Sequence, residues 1–357
     1  MRSVHIIGSR LPGGAERFYL RLTDALAKRG EEVLCITQPN SELNPQLSDE
    51  VRTRTVKMRS IIDPIARARI GSAVKGYGAQ IVQTYMGRAT RLTHLKQQRK
   101  GPVHIARLGG YYSPKGYRHA HAWVANTRGI RDYLVAQGFA SERVFHIGNF
   151  VDPPRPVDPP ELERLRLKLE LEPDAWVIVC LGRLHNNKAF DVMLDAVAGL
   201  PEYIQSRPLR LLLVGDGPER EALYEQAKQK GIAGRLRWPG WQQQPEPYLQ
   251  LADVFVCPSR HEPLGNVILE AWNQQIPVLA TDTGGPAELI QPGVNGVLVA
   301  VEDADDLAAG LQRLLEAEPG YRKALAAGGR RCLETEHTRE VVVTAYLDLY
   351  ARLHGDR

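Results

Sequence analysis

Two carboxylates stand eight positions apart in the segment SRHEPLGNVILEAWNQQ, residues 259–275. Glu262 is expected in a turn, because Pro263 and Gly265 interrupt any helix around it. Glu270 falls inside the apolar-periodic run that follows, which predicts a helix. Carboxylates on either side of a helix start are suited to bind the hydroxyl groups of a ligand. The alternative is an exposed Glu262 and a Glu270 that pairs with a neighbouring cation.

The backbone between the two carboxylates is suited to bind an anion. Asn266 is expected to cap a helix that begins near Val267, and Glu270 then lies on the same face as that end. Gly265 allows a ligand to approach the N–H groups that a helix leaves unpaired at its start. The segment therefore predicts acceptors for hydroxyl groups beside N–H donors for an anion.

A second group of charged residues follows the strand-like run that ends at Gly182. Arg183 and Lys188 flank the polar loop His-Asn-Asn (185–187), which leads into the next helical run. Two cations beside a helix N-terminus form a strong anion site, suited to a diphosphate. The alternative is a pair of solvated surface cations at a strand exit.

Three further strand ends carry glycine turns, in VGDGPER (214–220), TDTGGPAELI (281–290) and GSRLPGGAER (8–17). Such turns let a ligand approach the backbone, as Gly215 would in the first, although Gly-Asp-Gly-Pro is also a common turn sequence. The third turn contains Gly14 but lacks the G-x-G-x-x-G pattern, so it does not predict a dinucleotide site.

Strand-like runs alternate with helix-like runs through almost the whole chain, which is typical of parallel α/β sheets. The predicted strands cover residues 3–8, 32–37, 80–86, 103–109, 121–126, 144–149, 176–182, 209–217, 235–240, 254–259, 277–282 and 296–300. Two apolar-periodic runs, 15–30 and 341–353, predict helices. In such sheets ligands bind at the carboxyl ends of the strands.

The chain of 357 residues is long enough for two domains. Five of the nine residues in DPPRPVDPP (152–160) are proline, so this segment is expected to be a linker rather than a helix or central strand. We therefore predict two Rossmann-like domains, 1–151 and 161–336, that face each other across a cleft. A final helix over 337–357 is expected to return toward the first domain.

The composition is that of an ordinary globular protein, with 43% hydrophobic and 24% charged residues. No apolar run approaches the roughly 18–20 residues of a membrane span, and the N-terminus lacks the apolar core of a signal peptide. The four cysteines, Cys35, Cys180, Cys257 and Cys332, lie far apart and show no zinc-ligand spacing. We expect a cytoplasmic protein with reduced, mostly buried thiols.

Positive charge is concentrated in the first half of the chain. Residues 1–150 hold 24 Lys+Arg and 10 Asp+Glu, whereas residues 151–357 hold 22 and 31. Such an asymmetry indicates an anionic partner, and nucleic acid, anionic lipid or a phosphorylated substrate would each fit. The stretches 51–70 and 87–100 set cations among apolar residues without the aromatic platform of a nucleic-acid site. Nucleic acid is therefore not expected, and solvated helix faces are the alternative to an anionic membrane.

Five segments, GRLHNNK…LDA, VGDGPER, PSRHEPLGNVILEAW, ATDTGGPAELI and NGVLVAVEDADDLAAGLQRLL, follow one another as they do in retaining glycosyltransferases of the GT-B fold. Together they resemble family four over residues 176–318, and PGGAER extends the resemblance into the first half. The nearest kind is the bacterial transferases that build lipopolysaccharide or other surface glycans. The resemblance implies transfer of a sugar from a nucleotide-diphosphate sugar to an acceptor hydroxyl, with the first domain on the acceptor side.

The resemblance also implies roles for the charged residues. Glu262 would hold the hydroxyls of the donor sugar, and Glu270 would hold those of the nucleotide ribose. Arg183 and Lys188 match the cations that neutralise the leaving diphosphate, where negative charge develops. Arg183, Lys188 and Glu262 form the predicted catalytic set.

Other donor contacts are implied for the backbone. Gly14 matches the backbone that closes over the phosphates, and the base is expected to rest on the backbone of residues 237–241, which include Trp238. The predicted donor-binding set is Gly14, Gly215, Trp238, Gly265, Asn266 and Glu270.

No metal ion or other cofactor is expected. Asp303-Ala304-Asp305 has the D-x-D form of some metal sites, but it opens the helical run DADDLAAGLQRLL. Asp303 is therefore expected to cap that helix, where its charge suits the helix dipole.

The first half departs from the family at one position. Many relatives carry a histidine after a strand of this domain, close to the reacting sugar, where this chain reads HIARLGGYY. His104 is expected inside the strand, and Arg107, Tyr111 and Tyr112 are assigned to the acceptor side.

Two other functions remain open at this point. The chain could be a regulatory module that binds a sugar nucleotide without turnover, or another GT-B enzyme such as a sugar-nucleotide epimerase. A phosphorylase is disfavoured, because no lysine stands in a recognisable pyridoxal setting. We predict a transferase that lies in the cytoplasm, peripheral on the inner face of the membrane. Its acceptor is expected to be a lipid-linked or phosphorylated saccharide.

Overall fold

The computed structural model describes residues 1–11, 13–98 and 101–355. The chain divides into two compact units. Unit 1 contains Met1–Asp152 and the C-terminal segment from Glu336, and unit 2 contains Pro153–Thr335. Each unit has its own sheet and its own apolar core.

The proline-rich segment predicted as a linker lies at the boundary between the units. Residues 152–158 form neither helix nor strand. A helix begins at Pro159, earlier than predicted, because the fixed φ of proline suits the first turn of a helix. The irregular part is therefore shorter than the predicted range of 152–160.

Within the described residues, unit 1 contains a parallel seven-stranded sheet in the order β3-β2-β1-β4-β5-β6-β7. Its strands are β1 (Arg2–Ile7), β2 (Glu32–Thr37), β3 (Arg52–Thr55), β4 (Ile81–Tyr85), β5 (Val103–Leu108), β6 (Ala122–Ala125) and β7 (Val144–His146). Its first four helices are α1 (Gly14–Lys28), α2 (Pro64–Tyr77), α3 (Met86–Leu92) and α4 (Arg128–Ala136).

The central strands of unit 1 are apolar and buried, as expected for a parallel sheet that is covered on both faces. Val4 in β1 lies opposite Leu34 in β2 and Val82 in β4. These strands were predicted, but β3 was not. Its sequence RTRT is polar and exposed at the sheet edge, so no apolar pattern marks it.

Unit 2 has a second parallel sheet in the order β11-β10-β8-β12-β13-β14, with β9 antiparallel on β10. Its strands are β8 (Trp176–Leu181), β9 (Tyr203–Ile204), β10 (Arg207–Val214), β11 (Leu236–Gly240), β12 (Val254–Cys257), β13 (Val278–Thr281) and β14 (Val297–Val299). Its helices are α5 (Pro159–Lys168), α6 (Phe190–Gly199), α7 (Arg220–Gln229), α8 (Glu246–Gln250), α9 (Asn266–Asn273), α10 (Gly284–Leu289), α11 (Ala304–Glu316) and α12 (Pro319–Glu336).

The last helix, α13 (Arg339–Gly355), belongs to unit 1 and confirms the helix predicted from its apolar period. Tyr346 and Tyr350 lie on its buried face, within the core that also contains Phe18 of α1. The Tyr350 hydroxyl donates to Gln83 Oε1 in β4 at 2.7 Å. Polar and apolar contacts together therefore hold α13 against the sheet of unit 1.

Both units are Rossmann-like α/β folds with parallel sheets, so the predicted fold class is confirmed. Cys35, Cys180 and Cys257 are buried free thiols, and Cys332 is half-buried. A helix long and apolar enough to cross a bilayer does not occur in residues 1–11, 13–98 and 101–355.

Candidate active site

Two strand-end loops of unit 2 are tied together by backbone hydrogen bonds. Gly182 N donates to the Val214 carbonyl at 3.0 Å. Leu184 N donates to the Asp216 carbonyl at the same distance. A Cβ atom on Gly215 would lie 1.8 Å from the Gly182 carbonyl oxygen, so no side chain fits there. Gly215 thus allows the two loops to touch, and its contact with a donor stays a prediction.

Lys188 and Glu262, which the sequence placed in different loops, form an ion pair. The lysine side chain is 24% exposed and the glutamate side chain 11%. Burial acts to lower the pKa of the Lys188 ammonium, but the charge and hydrogen bond of Glu262, together with the nearby Cys257 and Glu270, outweigh burial and the pKa is raised. Lys188 is therefore a fixed, protonated cation near the end of β8.

The Glu262 carboxylate is held by three donors. Lys188 Nζ and Ser259 Oγ donate to Oε2, the latter at 3.4 Å. Gly265 N donates to Oε1 at 3.3 Å. The Glu262 carbonyl accepts the N–H of Gly285 at 2.8 Å, which ties its backbone to the start of α10. A carboxylate has about four acceptor positions, so Glu262 can also accept a hydroxyl group.

Helix α9 begins one residue earlier than predicted. Gly265 is its N-cap with φ +87°, and Asn266 is its first helical residue. The prediction that Asn266 caps the helix is wrong, because Gly265 in the left-handed conformation turns the chain into the helix. Asn266 is half-buried at that helix start, and its contact with a donor stays a prediction.

Glu270 lies on α9 between the buried residues Leu269 and Ala271 and is itself half-buried. Against the lowering effect of burial, its charge adds to that of Glu262 in raising the pKa of Lys188. Both carboxylates are therefore within electrostatic reach of one ammonium group. The structure brings these three predicted residues together, while their roles toward a ligand remain predictions.

Arg183 is exposed directly after β8. It forms no hydrogen bond or ion pair with any residue that the structure describes. Its guanidinium donors are therefore not used by the described residues, and its contact with a donor diphosphate stays a prediction.

Arg260, a residue without an expected role, joins two loops of the site. Its guanidinium donates to both carboxylate oxygens of Asp191, at 2.8 and 2.6 Å. It also donates to the Asn186 carbonyl at 2.9 Å. The hydrogen bonds from Arg260 lower the pKa of Asp191. The sequence feature that could have identified Arg260 is its place as a cation at a strand end, two residues before Glu262.

The strand end predicted to hold the base carries two tryptophans with different surroundings. Trp238 lies in β11, and its ring packs on the core of unit 2, 6.2 Å from the Tyr224 ring. Trp241, just beyond the strand, is 49% exposed. Trp238 is half-buried at the edge of the core, and Trp241 presents the more accessible ring. Contact of this strand end with a base stays a prediction.

In unit 1, Gly14 is exposed as the first residue of α1, and Gly13 is the N-cap. A Cβ atom on Gly13 would lie 2.7 Å from Glu16 Oε2. The buried Glu16 side chain thus folds back over the start of its own helix. Pro12, inside the predicted phosphate loop, lies outside the described residues. Contact of Gly14 with phosphates stays a prediction.

Arg107 does not face solvent, contrary to its assignment to the acceptor side. It is 2% exposed, and its guanidinium donates to the Tyr346 hydroxyl at 3.1 Å and to Asn149 Oδ1. The same group lies 3.9 Å over the Phe18 ring. Arg107 therefore holds α13 against the sheet. The assignment failed because a cation in a strand can point inward when buried polar groups accept its hydrogen bonds.

The two tyrosines after β5 differ in exposure. Tyr111 is 42% exposed and meets the Tyr133 ring edge-on at 5.5 Å. Tyr112 is half-buried and stacks on Tyr117 at 6.1 Å, and burial raises its pKa. Their acceptor roles stay predictions, with Tyr111 the more accessible of the two.

Asp303 caps α11, as predicted, by accepting the N–H of Asp306 at 2.9 Å. His104 is buried in β5, also as predicted, with Nε2 3.0 Å from Thr84 Oγ1. Across the described residues, no group of three or more His, Cys, Asp or Glu side chains is arranged to hold a metal ion. Metal independence itself stays a prediction.

Two family models match the chain. The model described as glycosyl transferases group 1 matches residues 162–331, and that described as glycosyltransferase family 4 matches residues 12–155. The lipopolysaccharide core biosynthesis glycosyltransferase LpsE of Rhizobium meliloti is 35% identical, covering 95% of this chain and 96% of that protein. The chain therefore belongs to this family of glycosyltransferases.

Another relative agrees with this assignment, and two solved structures share the fold. LpsD of the same organism, also named as a lipopolysaccharide core glycosyltransferase, is 31% identical over 95% of both chains. A glycosyltransferase of Rickettsia africae has a TM-score of 0.85 at 18% identity, covering 98% of each chain. Anabaena HepE with UDP and glucose has a TM-score of 0.83 at 19% identity, covering 99% of this chain and 100% of that one. These likenesses confirm the GT-B fold class.

Proposed function

We propose that the chain transfers a sugar from a nucleotide-diphosphate sugar to an acceptor hydroxyl in the synthesis of a lipopolysaccharide core or another surface glycan. The reaction retains the anomeric configuration and needs no metal ion. The observation that carries this proposal is the Lys188–Glu262 pair beside Glu270 at the start of α9. Relatives named for lipopolysaccharide core synthesis, and solved neighbours with UDP or UDP-glucose, support the substrate class.

Lys188, Arg183 and the backbone at the start of α9 are assigned to the donor diphosphate. When the sugar–phosphate bond breaks, negative charge grows on the leaving phosphate, and fixed cations stabilise that charge. Lys188 is already held by Glu262, so it needs little reorganisation when the donor binds. Arg183 supplies a second cation whose donors are not used by the described residues.

The two carboxylates are assigned to hydroxyl groups of the donor. Glu262 is oriented by Lys188 and Gly265, and it accepts a sugar hydroxyl with its remaining lone pairs. Glu270 accepts from the ribose of the nucleotide. This division places the reacting sugar next to the cation that stabilises its leaving group.

Retention follows if the acceptor attacks from the face that the nucleotide leaves. In the proposed step the acceptor oxygen bonds to the anomeric carbon as the sugar–phosphate bond breaks. A phosphate oxygen of the donor takes the acceptor proton, so no enzyme nucleophile takes part. Glu262 is unsuited to be one, because its carboxylate is engaged by an ammonium group.

The charge of unit 1 supports an acceptor that is phosphorylated or held at an anionic membrane. Residues 64–131 contain 13 Lys+Arg and no Asp or Glu. Each cation near an anionic surface contributes about 1 kcal/mol, and the attraction is screened beyond roughly 8 Å at physiological ionic strength. We therefore expect high salt to release the protein from anionic vesicles.

The test is a reaction of the purified chain with UDP-, GDP- and ADP-sugars and a lipopolysaccharide-core acceptor, with the product analysed by proton NMR. One donor class should give a product with the anomeric configuration of the donor. An inverted product would overturn retention. Binding without transfer or hydrolysis would favour a regulatory module, and an epimerised donor would identify an epimerase.

A further inference from the structure

Three large apolar side chains are exposed within five consecutive residues of unit 1. Ile61 is 40% exposed, Ile62 75% and Ile65 54%. The other large apolar side chains exposed in the described chain are each separated from the next in sequence: Leu11, Tyr111, Leu167, Tyr203, Tyr224, Trp241, Val294, Tyr321 and Val341. Isolated exposed apolar residues are ordinary, but a group of them marks a contact surface. We call Ile61, Ile62 and Ile65 the isoleucine turn.

The isoleucine turn is held in place by the N-cap of α2. Asp63 Oδ1 accepts the N–H groups of Ile65 and Ala66, each at 3.0 Å. Asp63 Oδ2 accepts the N–H of Arg59 at 3.1 Å. Pro64, the first residue of α2, fixes the chain further. The isoleucines are therefore presented by an ordered turn.

The exposed isoleucines do not belong to the face by which α2 packs on the sheet. That inner face consists of Ala66, Ile70, Ala73 and Val74. Ile65 and Arg69 are four residues apart and exposed, so they share an outer face. The helix thus carries an apolar and a cationic group together toward solvent.

Cations surround the isoleucine turn in the sequence. Residues 51–79 contain one carboxylate, Asp63, which is buried as the helix cap. The exposed cations of this range are Arg52, Arg54, Lys57, Arg59, Arg67, Arg69 and Lys75. None of them forms an ion pair with a residue that the structure describes, although the charge of Arg59 acts on Asp63. Their charge is consequently available to an anionic partner.

We propose that the isoleucine turn inserts into the headgroup region of an anionic lipid bilayer, with the neighbouring arginines on the lipid phosphates. Aliphatic side chains ringed by cations suit such an interface. A surface for single-stranded nucleic acid would instead carry aromatic side chains for stacking. The inference rests on the proposed function, which places the acceptor at an anionic membrane, and it adds an apolar anchor to the attraction of charge.

The experiment measures sedimentation with phosphatidylglycerol–phosphatidylethanolamine vesicles at several salt concentrations. Ile62→Ser/Ile65→Ser should bind at least about tenfold more weakly at every salt concentration, since apolar burial is lost. The slope of affinity against salt should be unchanged, because the cations remain. Arg67→Gln/Arg69→Gln should instead reduce that slope. Leu167→Ser, an equally exposed apolar site in unit 2, is the matched control and should bind as wild type.

A second readout reports insertion directly. Tryptophan fluorescence of Ile62→Trp should be quenched by vesicles with brominated acyl chains. The quenching should exceed that of the wild type, which contains only the native tryptophans. All variants should keep the wild-type affinity for whichever of UDP, GDP and ADP the wild type binds, because residues 61–69 lie outside the donor site. A wild type that binds none of these nucleotides would count against the proposed function and leave the vesicle result readable.

Three outcomes would overturn the insertion. The first is equal vesicle affinity of the isoleucine variant and wild type. The second is binding of phosphatidylcholine vesicles as strong as binding of anionic ones, or no vesicle binding at all. The third is a change of oligomeric state in the isoleucine variant by analytical ultracentrifugation, which would make the turn a contact between copies of the chain.

Discussion

The candidate site of unit 2 and the isoleucine turn of unit 1 differ in how their cations are paired. In unit 2, Lys188 pairs with Glu262 and Arg260 pairs with Asp191, so each charge is fixed in direction by a carboxylate. In unit 1, exposed cations such as Arg59 and Arg69 have no ion-pair partner among the described residues. Paired charges are suited to act on atoms at defined positions, whereas unpaired charges attract an anionic surface over a distance. Under the two proposals, the paired cations belong to the site for chemistry, to which Arg183 adds a guanidinium unpaired among the described residues, and the unpaired cations around the isoleucine turn belong to the docking surface.

The largest expected effect comes from removing the cations of unit 2. Lys188→Ala and Arg183→Ala should each lower kcat by on the order of 10²-fold or more, because the leaving diphosphate loses a stabilising charge. Steady-state kinetics with the donor found in the screen is the measurement. Near-wild-type kcat in both variants would exclude these cations from the mechanism.

The same two variants should differ in stability. Lys188→Ala leaves the Glu262 carboxylate, 11% exposed, without its cation and should lower the melting temperature. Arg183→Ala removes an exposed side chain without partners among the described residues, so the melting temperature should not change. Arg69→Gln in unit 1 is the control and should change neither kcat nor stability.

The two glutamates should separate nucleotide binding from sugar use. Glu270→Ala should weaken binding of the bare nucleotide by about tenfold or more, the cost of one lost hydrogen bond to a charged group. Glu262→Gln should spare nucleotide affinity and lower kcat with the whole donor. Calorimetric titration with the nucleotide decides the point. Equal nucleotide affinity of Glu270→Ala and wild type would contradict the proposed division.

Apolar and polar periodicity predicted most of the strands, the helix α13 and the Asp303 cap. Periodicity did not reveal β3, because an edge strand of sequence RTRT has no buried face. It also could not show that Gly215 is required by the Gly182 carbonyl, since that contact joins loops after different strands. These features depend on tertiary neighbours that lie far apart in the sequence.

Only part of the candidate site could be predicted from the sequence, because it too depends on tertiary neighbours. Residue types and spacing singled out Lys188 and Glu262, but their pairing arises only when the strand ends come together. Arg107 was misassigned, because its partners Tyr346 and Asn149 come from distant segments. Spacing in the sequence thus identifies residues of suitable chemistry more readily than it shows which of them are buried.

A smaller effect, confined to unit 1, concerns acid stability. Burial lowers the pKa of His5 to about 3, and its Nδ1 lies 2.9 Å from the Tyr85 hydroxyl. Below pH 6.5, the ordinary pKa of histidine, His5 binds a proton in the unfolded chain but not in the folded unit. Stability should therefore fall as the pH drops from 6.5 toward 3, by about 1.4 kcal/mol per pH unit.

Hydrogen exchange of β1 amides at pH 6.5 and 5.0 measures this loss within unit 1. Wild type should lose about 2 kcal/mol more opening free energy than His5→Gln over that interval. An equal loss in both proteins would show that His5 does not govern acid stability.

The smallest expected effect is that of chelation. With fixed cations in unit 2 at the diphosphate, EDTA should leave the transfer rate unchanged within error. Activity that EDTA abolishes and Mg²⁺ or Mn²⁺ restores would replace the proposed role of Lys188 and Arg183 by that of a metal ion.

The central claim is that the Lys188–Glu262 pair performs chemistry rather than simply joining two loops. The most direct measurement is kcat of Lys188→Met/Glu262→Leu together with its melting temperature, because replacing both charges by apolar groups often preserves stability. The account predicts a melting temperature close to wild type and a kcat lower by at least about 10²-fold. A stable double variant with kcat within about threefold of wild type would show that the pair is structural and would contradict the account.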